Sequence, residues 1–147
     1  MLRGDALRER ARGKRGDNLE EAIAAYREAL ARVRKDEHVD TWAQCKLGVG
    51  LAYALRQTGE PKDNQLRAIE NLTEAVSHLD ETARLELALG RLHLARLLQR
   101  RAQDGDALRI GELYELAVKV FTAKDHPNEY QLCHDGIEQL RRPKRIS

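Results

Sequence analysis

Apolar residues recur along this chain at helical spacing, and one set of six positions is written three times. Ala22, Ile23, Tyr26, Ala29, Leu30 and Val33 match Ala68, Ile69, Leu72, Ala75, Val76 and Leu79 at an offset of 46. They match again at Ile110, Gly111, Tyr114, Ala117, Val118 and Phe121, a further 42 residues on. Spacings of one, four, seven, eight and eleven keep an apolar stripe on one side of an α-helix, with the charged residues between them turned to water. A helix repeated at a period of that size predicts a stacked helical array. Such arrays present surface to partners and seldom do chemistry.

Start signals place the three striped helices. The first is predicted after Asp17-Asn18, with Glu20 answering Asp17 as a capping box, and runs to about Arg34. The second follows Asp63-Asn64 and runs to about His78, and the third follows Asp104-Gly105-Asp106 and ends near Lys124-Asp125. Between them lie helices of another kind. One opens at Asp40-Thr41, carries Trp42, Cys45, Val49, Ala52 and Tyr53 on one face, and ends at Gly59. The next opens at Asp80-Glu81-Thr82 and carries Leu85, Leu89, Leu92 and His93 toward Gln103.

Gly50 and Gly90 fall at matching points on these two. A helix-interior glycine costs about 1 kcal/mol against alanine, so its presence in both predicts a close helix crossing. Leu2–Arg12 reads as the closing half of one more such helix, and Asn128 to Arg142 as a last helix before Pro143. The expected fold is all-α with about seven helices in one domain over residues 1–147. Its parts are a partial first unit at 2–34, a second at 40–79, a third at 81–124 and a C-terminal capping helix at 127–142. Because the chain begins inside a unit, an excised fragment or a small protein with a shortened first helix is expected.

Composition changes this picture little. The net charge is +2, from 26 basic and 24 acidic residues, so no overall field calls for nucleic acid or an anionic membrane. Aromatic residues make up 4%, which suits long helices and disfavours a β-sandwich. The N-terminus lacks the apolar core of a signal peptide, and the longest uncharged apolar run, Leu47 to Leu55, is far short of the roughly 20 residues that span a bilayer. A soluble cytoplasmic protein is the expectation. Cys45 and Cys133 fit it as small buried residues rather than a disulfide.

The words of the sequence resemble a known repeat. Trp42-Ala43 followed by Gly50, Ala52-Tyr53 and Gly59 is similar to the first helix of a tetratricopeptide repeat, and Asn18-Leu19-Glu20-Glu21-Ala22-Ile23 through Ala29-Leu30 is similar to the second. The periods exceed the usual repeat of about 34 residues. They resemble the long-period subclass found in bacterial and fungal signalling proteins beside caspase-like CHAT peptidase or NTPase domains. Gly13-Lys14-Arg15-Gly16-Asp17-Asn18-Leu19-Glu20 and Gly59-Glu60-Pro61-Lys62-Asp63-Asn64 are similar to that subclass's interhelical linker. The resemblance is strongest from Gly4 to Val76 and weakens from Glu81 onward. It implies a right-handed superhelical stack of antiparallel helix pairs whose first helices line a concave groove.

No constellation carries chemistry. His38, His78, His93, His126 and His134 lack the four-residue helical spacing of a metal pair. No nucleophile stands with a base and an orienting group, and Gly48-Val49-Gly50 is too short for a phosphate loop. Neither enzyme activity, metal nor cofactor is expected. The function predicted is a protein-interaction scaffold. Its groove candidates are Gln44, Leu51 and Leu55 on one helix and Glu86, Arg91 and Leu94 on the next. Leu47, Leu51 and Leu55 read equally well as core under the Leu2–Arg12 helix.

Two other readings follow from charge and symmetry. Arginine clusters at Arg8, Arg10 and Arg12, at Arg96, Arg100 and Arg101, and at Arg141, Arg142 and Arg145 offer a nucleic-acid or nucleotide-messenger site. The absence of neighbouring aromatics disfavours single-strand binding. Terminal units with an uncovered apolar face offer self-assembly into a homo-oligomer.

Overall fold

The computed structural model describes residues 15–103 and 105–142, so the predicted helix at Leu2–Arg12 lies outside the described residues. Among the described residues there are six helices and no strands. They are α1 (Arg15–Arg32), α2 (Val39–Leu55), α3 (Pro61–His78), α4 (Arg84–Arg101), α5 (Ala107–Val118) and α6 (Pro127–Arg141). The connections are short, which turns each helix back against the one before it. Every helix packs on its neighbours in sequence. Beyond that, α2 touches α4 and α4 touches α6, whereas α1, α3 and α5 make no close backbone approach to one another. The two kinds of helix read from the sequence therefore play two roles. The striped helices lie apart, and the others form a continuous row.

The stripe is the core. Ala68, Leu72 and Ala75 have no exposure on α3, and Tyr114, Ala117 and Phe121 have almost none at α5 and just beyond it. On α1 the same positions are less covered: Ile23 is buried but Tyr26 is 37% exposed. The row helices bury more than one face. Ala43, Leu47, Val49, Gly50, Ala52 and Tyr53 are buried on α2, and eight residues from Leu87 to Leu98 on α4. Glycine permits the predicted close crossings. A Cβ on Gly50 would lie 2.7 Å from the Leu72 side chain and 3.1 Å from its backbone nitrogen, and one on Gly90 would lie 3.0 Å from Val76.

The helix starts differ from the expected ones. Helix α3 begins at Pro61, whose missing N–H suits a first position, so Asp63 and Asn64 fall inside the first turn. Asp17 likewise falls inside α1, and Glu20 bonds Arg56 and Thr58 instead of closing a capping box. Asp106 stands at the start of α5 but pairs with Arg101 at 2.9 Å. Asp80 accepts from the backbone N–H and the hydroxyl of Thr82, a turn ahead of α4.

Register differs as well. The stripe repeats at 46 and 42, but the row helices begin at Val39, Arg84 and Pro127, offsets of 45 and 43. Residues 34–38, 80–83 and 122–126 stand between each stripe and the next helix, and the middle connection is one residue shorter. Gly90 therefore corresponds to Cys45 and Cys133 rather than to Gly50. All three are small, and Gly90 and Cys133 are buried.

Candidate functional site

The row helices share one outward face, and the 45/43 register defines it. On α2 it carries Gln44, Gly48, Leu51 and Leu55, one helical turn apart. On α4 the equivalents are Leu89, His93, Arg96 and Arg100, and on α6 Leu132, Gly136 and Gln139. Glu86 lies one turn before Leu89 on the same stripe. Exposure agrees with a surface strip: Gln44, Leu55, Arg100 and Gln139 are exposed, and Leu51, Glu86, Leu89, Arg96 and Leu132 are half-buried.

Four of the six predicted groove residues thus share this face. The other two do not. Leu94 has no exposure and belongs to the core, and Arg91 keeps a largely covered side chain paired with Glu81 at 3.5 Å. Arg96 and Arg100, read from the sequence as part of an arginine cluster, stand in register with Leu51 and Leu55 and so join this face.

Two clefts open beside these arginines. One, of about 390 Å³, lies between α4 and α6 and is lined by Arg96, Gln99, Arg100, Tyr114, Asp135 and Gln139 among others. The second, of about 370 Å³, lies where α2 and α3 meet α4 and is lined by Tyr53, Arg56, Gln57, Lys62, Gln65 and Arg100. Arg100 borders both. Among the described residues Arg96, Arg100 and Lys62 form no ion pair, whereas Arg56 is held by Glu20 and Arg101 by Asp106.

The floor of the first cleft is rigid. Tyr114 donates its hydroxyl to Gln99 Oε1 at 2.7 Å, and Gln99 Nε2 donates to the Gly136 carbonyl at 3.1 Å. Burial pushes Tyr114 up to about 12, so it keeps its proton. Burial, and then the Arg96 charge, push His93 below its usual range, against the opposing pull of Glu129. A neutral His93 leaves Arg96 and Arg100 as the cations of this strip. Guanidinium groups that form no ion pair among the described residues suit carboxylates, which arginine binds through paired N–H groups.

His78 and Lys46 pack against the Trp42 ring, with Lys35 above it at 4.6 Å, and His126 and His134 lie against Phe121 and Tyr130. Among the described residues no group of three or more histidine, cysteine or acidic side chains could hold a metal ion. Among the described residues no helix is long and apolar enough to cross a membrane. Cys45 and Cys133 are free thiols, and burial pushes Cys133 up to about 11. No protein-family model, curated sequence or solved structure matches the chain.

Proposed function

We propose that this protein is a non-catalytic scaffold of the tetratricopeptide kind, a right-handed superhelical stack that holds an acidic segment of another protein along the α2–α4–α6 face. The observation that carries this reading is the pair of clefts sharing Arg100, with Arg96 and Lys62 free to meet carboxylates and a fixed amide floor beside them. The apolar strip of Leu51 and Leu55 continues the same face. Burying a leucine of that kind under a partner is worth about 2 kcal/mol, enough to add affinity to the charge contacts. Stacked helix pairs supply such a face without moving parts.

The test is a binding series against immobilised peptides graded from acidic to basic, read with wild type and with Arg96→Ala/Arg100→Ala. The reading predicts retention of acidic peptides that the double variant loses at least about tenfold, with unchanged helical circular dichroism. Equal binding by wild type and variant, or retention of basic peptides instead, contradicts it. Nucleic acid is the second occupant that arginines could serve. A salt titration with duplex DNA distinguishes it, because phosphate contacts impose a steep log–log slope.

A further inference from the structure

Three clefts follow one another along the array, joined by residues they share. The α4–α6 cleft of about 390 Å³ meets the α2–α3–α4 cleft of about 370 Å³ at Arg100. That cleft meets a third, of about 310 Å³ between α1, α2 and α3, at Tyr53, Arg56 and Asn64. Their charges are sorted. The first sets Arg96 and Arg100 beside Asp135. The third balances Arg27, Arg56 and Arg67 against Glu20, Glu60 and Asp63. The middle cleft is lined by Arg56, Lys62 and Arg100, and among the described residues no carboxylate lines it.

Two of those three cations are available to a ligand. Glu20 and Asn64 engage Arg56, which therefore contributes its field rather than its donors. Lys62 and Arg100 are exposed, and among the described residues neither forms an ion pair. The side-chain amides of Gln57 and Gln65 stand beside them as neutral donors. Buried Tyr53, Asn64 and Leu97 hold the walls in place. Pro61 and Lys62 bring the first turn of α3 to the same cleft, and its dipole adds positive potential there.

A carboxylate carries one charge, so it leaves one of the two available cations unmatched. A phosphomonoester carries about −1.5 to −2 and three acceptor oxygens, so it matches both. We propose that the middle cleft takes a phosphorylated serine or threonine within the acidic segment bound by the α2–α4–α6 face. The proposal rests on the acidic-segment reading for the flanking contacts only. Arg100 offers its guanidinium fork to two phosphate oxygens, and Lys62 a point charge to the remaining one. Arg96 serves the carboxylates on one flank, and the balanced third cleft takes no part.

The probe is a short fluorescein-labelled acidic peptide made in three forms, with a central serine, a phosphoserine, or a pair of glutamates in its place. Anisotropy is read with the full chain at one fixed salt concentration. The phosphoserine form is expected to bind at least about tenfold tighter than the serine form, and tighter than the glutamate pair of similar charge. Lys62→Ala/Arg100→Ala is expected to abolish that preference. Both side chains are exposed, so this variant is expected to keep its circular dichroism and urea midpoint. Arg96→Ala is expected to weaken all three forms alike, and Arg27→Ala/Arg67→Ala to change none.

A preference that survives Lys62→Ala/Arg100→Ala, or that the glutamate pair reproduces, overturns the proposal. Binding of all three forms without preference overturns it and leaves the acidic-segment reading intact. Binding of the phosphorylated form alone supports the phosphate site and contradicts that reading, and binding of no form overturns both. Displacement of the phosphopeptide by duplex DNA at equal phosphate concentration overturns it in favour of a nucleic-acid backbone.

Discussion

At the scale of single residues, a ring laid on a glycine joins striped helix to row helix at both ends of the array. A Cβ on Gly48 would press into the Tyr26 ring, and one on Gly136 into the Tyr114 ring, so a side chain at either place has to displace the ring. At the middle level the register places Leu72 on the striped helix and His93 on the row helix. One ring thus stands at each level, supplied from either side. Gly136→His is expected to overpack the site and cost about 1–3 kcal/mol in urea unfolding. Tyr114→Leu is expected to destabilise through the space it leaves and the lost bond to Gln99. Together the two changes rebuild the middle pairing, and the double variant is expected to recover at least about 0.5 kcal/mol of the summed losses. Strict additivity contradicts the pairing.

His93 adds a pH dependence. Its folded pKa lies below the usual 6.5, first through burial and then through Arg96. Below that value the unfolded chain takes up a proton that the folded chain resists, so His93's contribution is complete above it and declines as pH falls through the folded value. Stability of wild type is expected to drop more steeply than that of His93→Gln as pH falls below 6.5. Parallel profiles contradict this.

At the scale of elements, α1 depends on one polar latch. Glu20 accepts from Arg56 Nε at 2.5 Å, from Arg56 Nη2 at 3.0 Å and from the Thr58 hydroxyl at 3.0 Å. Asn64, itself buried, accepts from Arg56 Nη1 and donates to the Thr58 carbonyl. Arg27, Arg56 and Arg67 surround the Tyr53 ring at 5.6–5.8 Å, which brings α1, the α2–α3 turn and α3 to one point. The hydrogen bonds from Arg56 and Thr58 hold Glu20 below its usual carboxylate range, so the latch persists at neutral pH and loosens as pH falls through that lowered value. Since α1 buries fewer stripe residues than α3 or α5, Glu20→Ala is expected to speed amide exchange in α1 while sparing α4–α6. Unchanged protection in α1 contradicts the latch.

At the scale of the whole molecule, helix type and order were legible because the stripe is a burial pattern, and burial decides where these helices lie. Of the stripe on α3, Ala68, Ile69, Leu72 and Ala75 are buried and Val76 half-buried, with Leu79 buried just past the helix end, and the close approaches fell at Gly50 and Gly90. Helix starts were less legible. Asp63, Asn64 and Asp106 look like caps in sequence, but Pro61 starts its helix earlier and Arg101 captures Asp106. The site was half legible. Gln44, Leu51, Leu55 and Glu86 lie on the shared face, whereas Leu94 is core and Arg91 pairs with Glu81. A helix packed on both sides carries more than one apolar face, so the spacing of one stripe does not report which residues look outward.

The α2–α4–α6 face rests on that threefold register, and proton NMR reads the register directly. A tyrosine ring stacked on a glycine shields the glycine's α protons. The α protons of Gly48 and Gly136 are expected far upfield of those of Gly105, which has no neighbour within 4 Å. Tyr114→Leu is expected to return Gly136 alone to the ordinary range. Ordinary shifts for both glycines in the wild-type chain would contradict the register and the face derived from it.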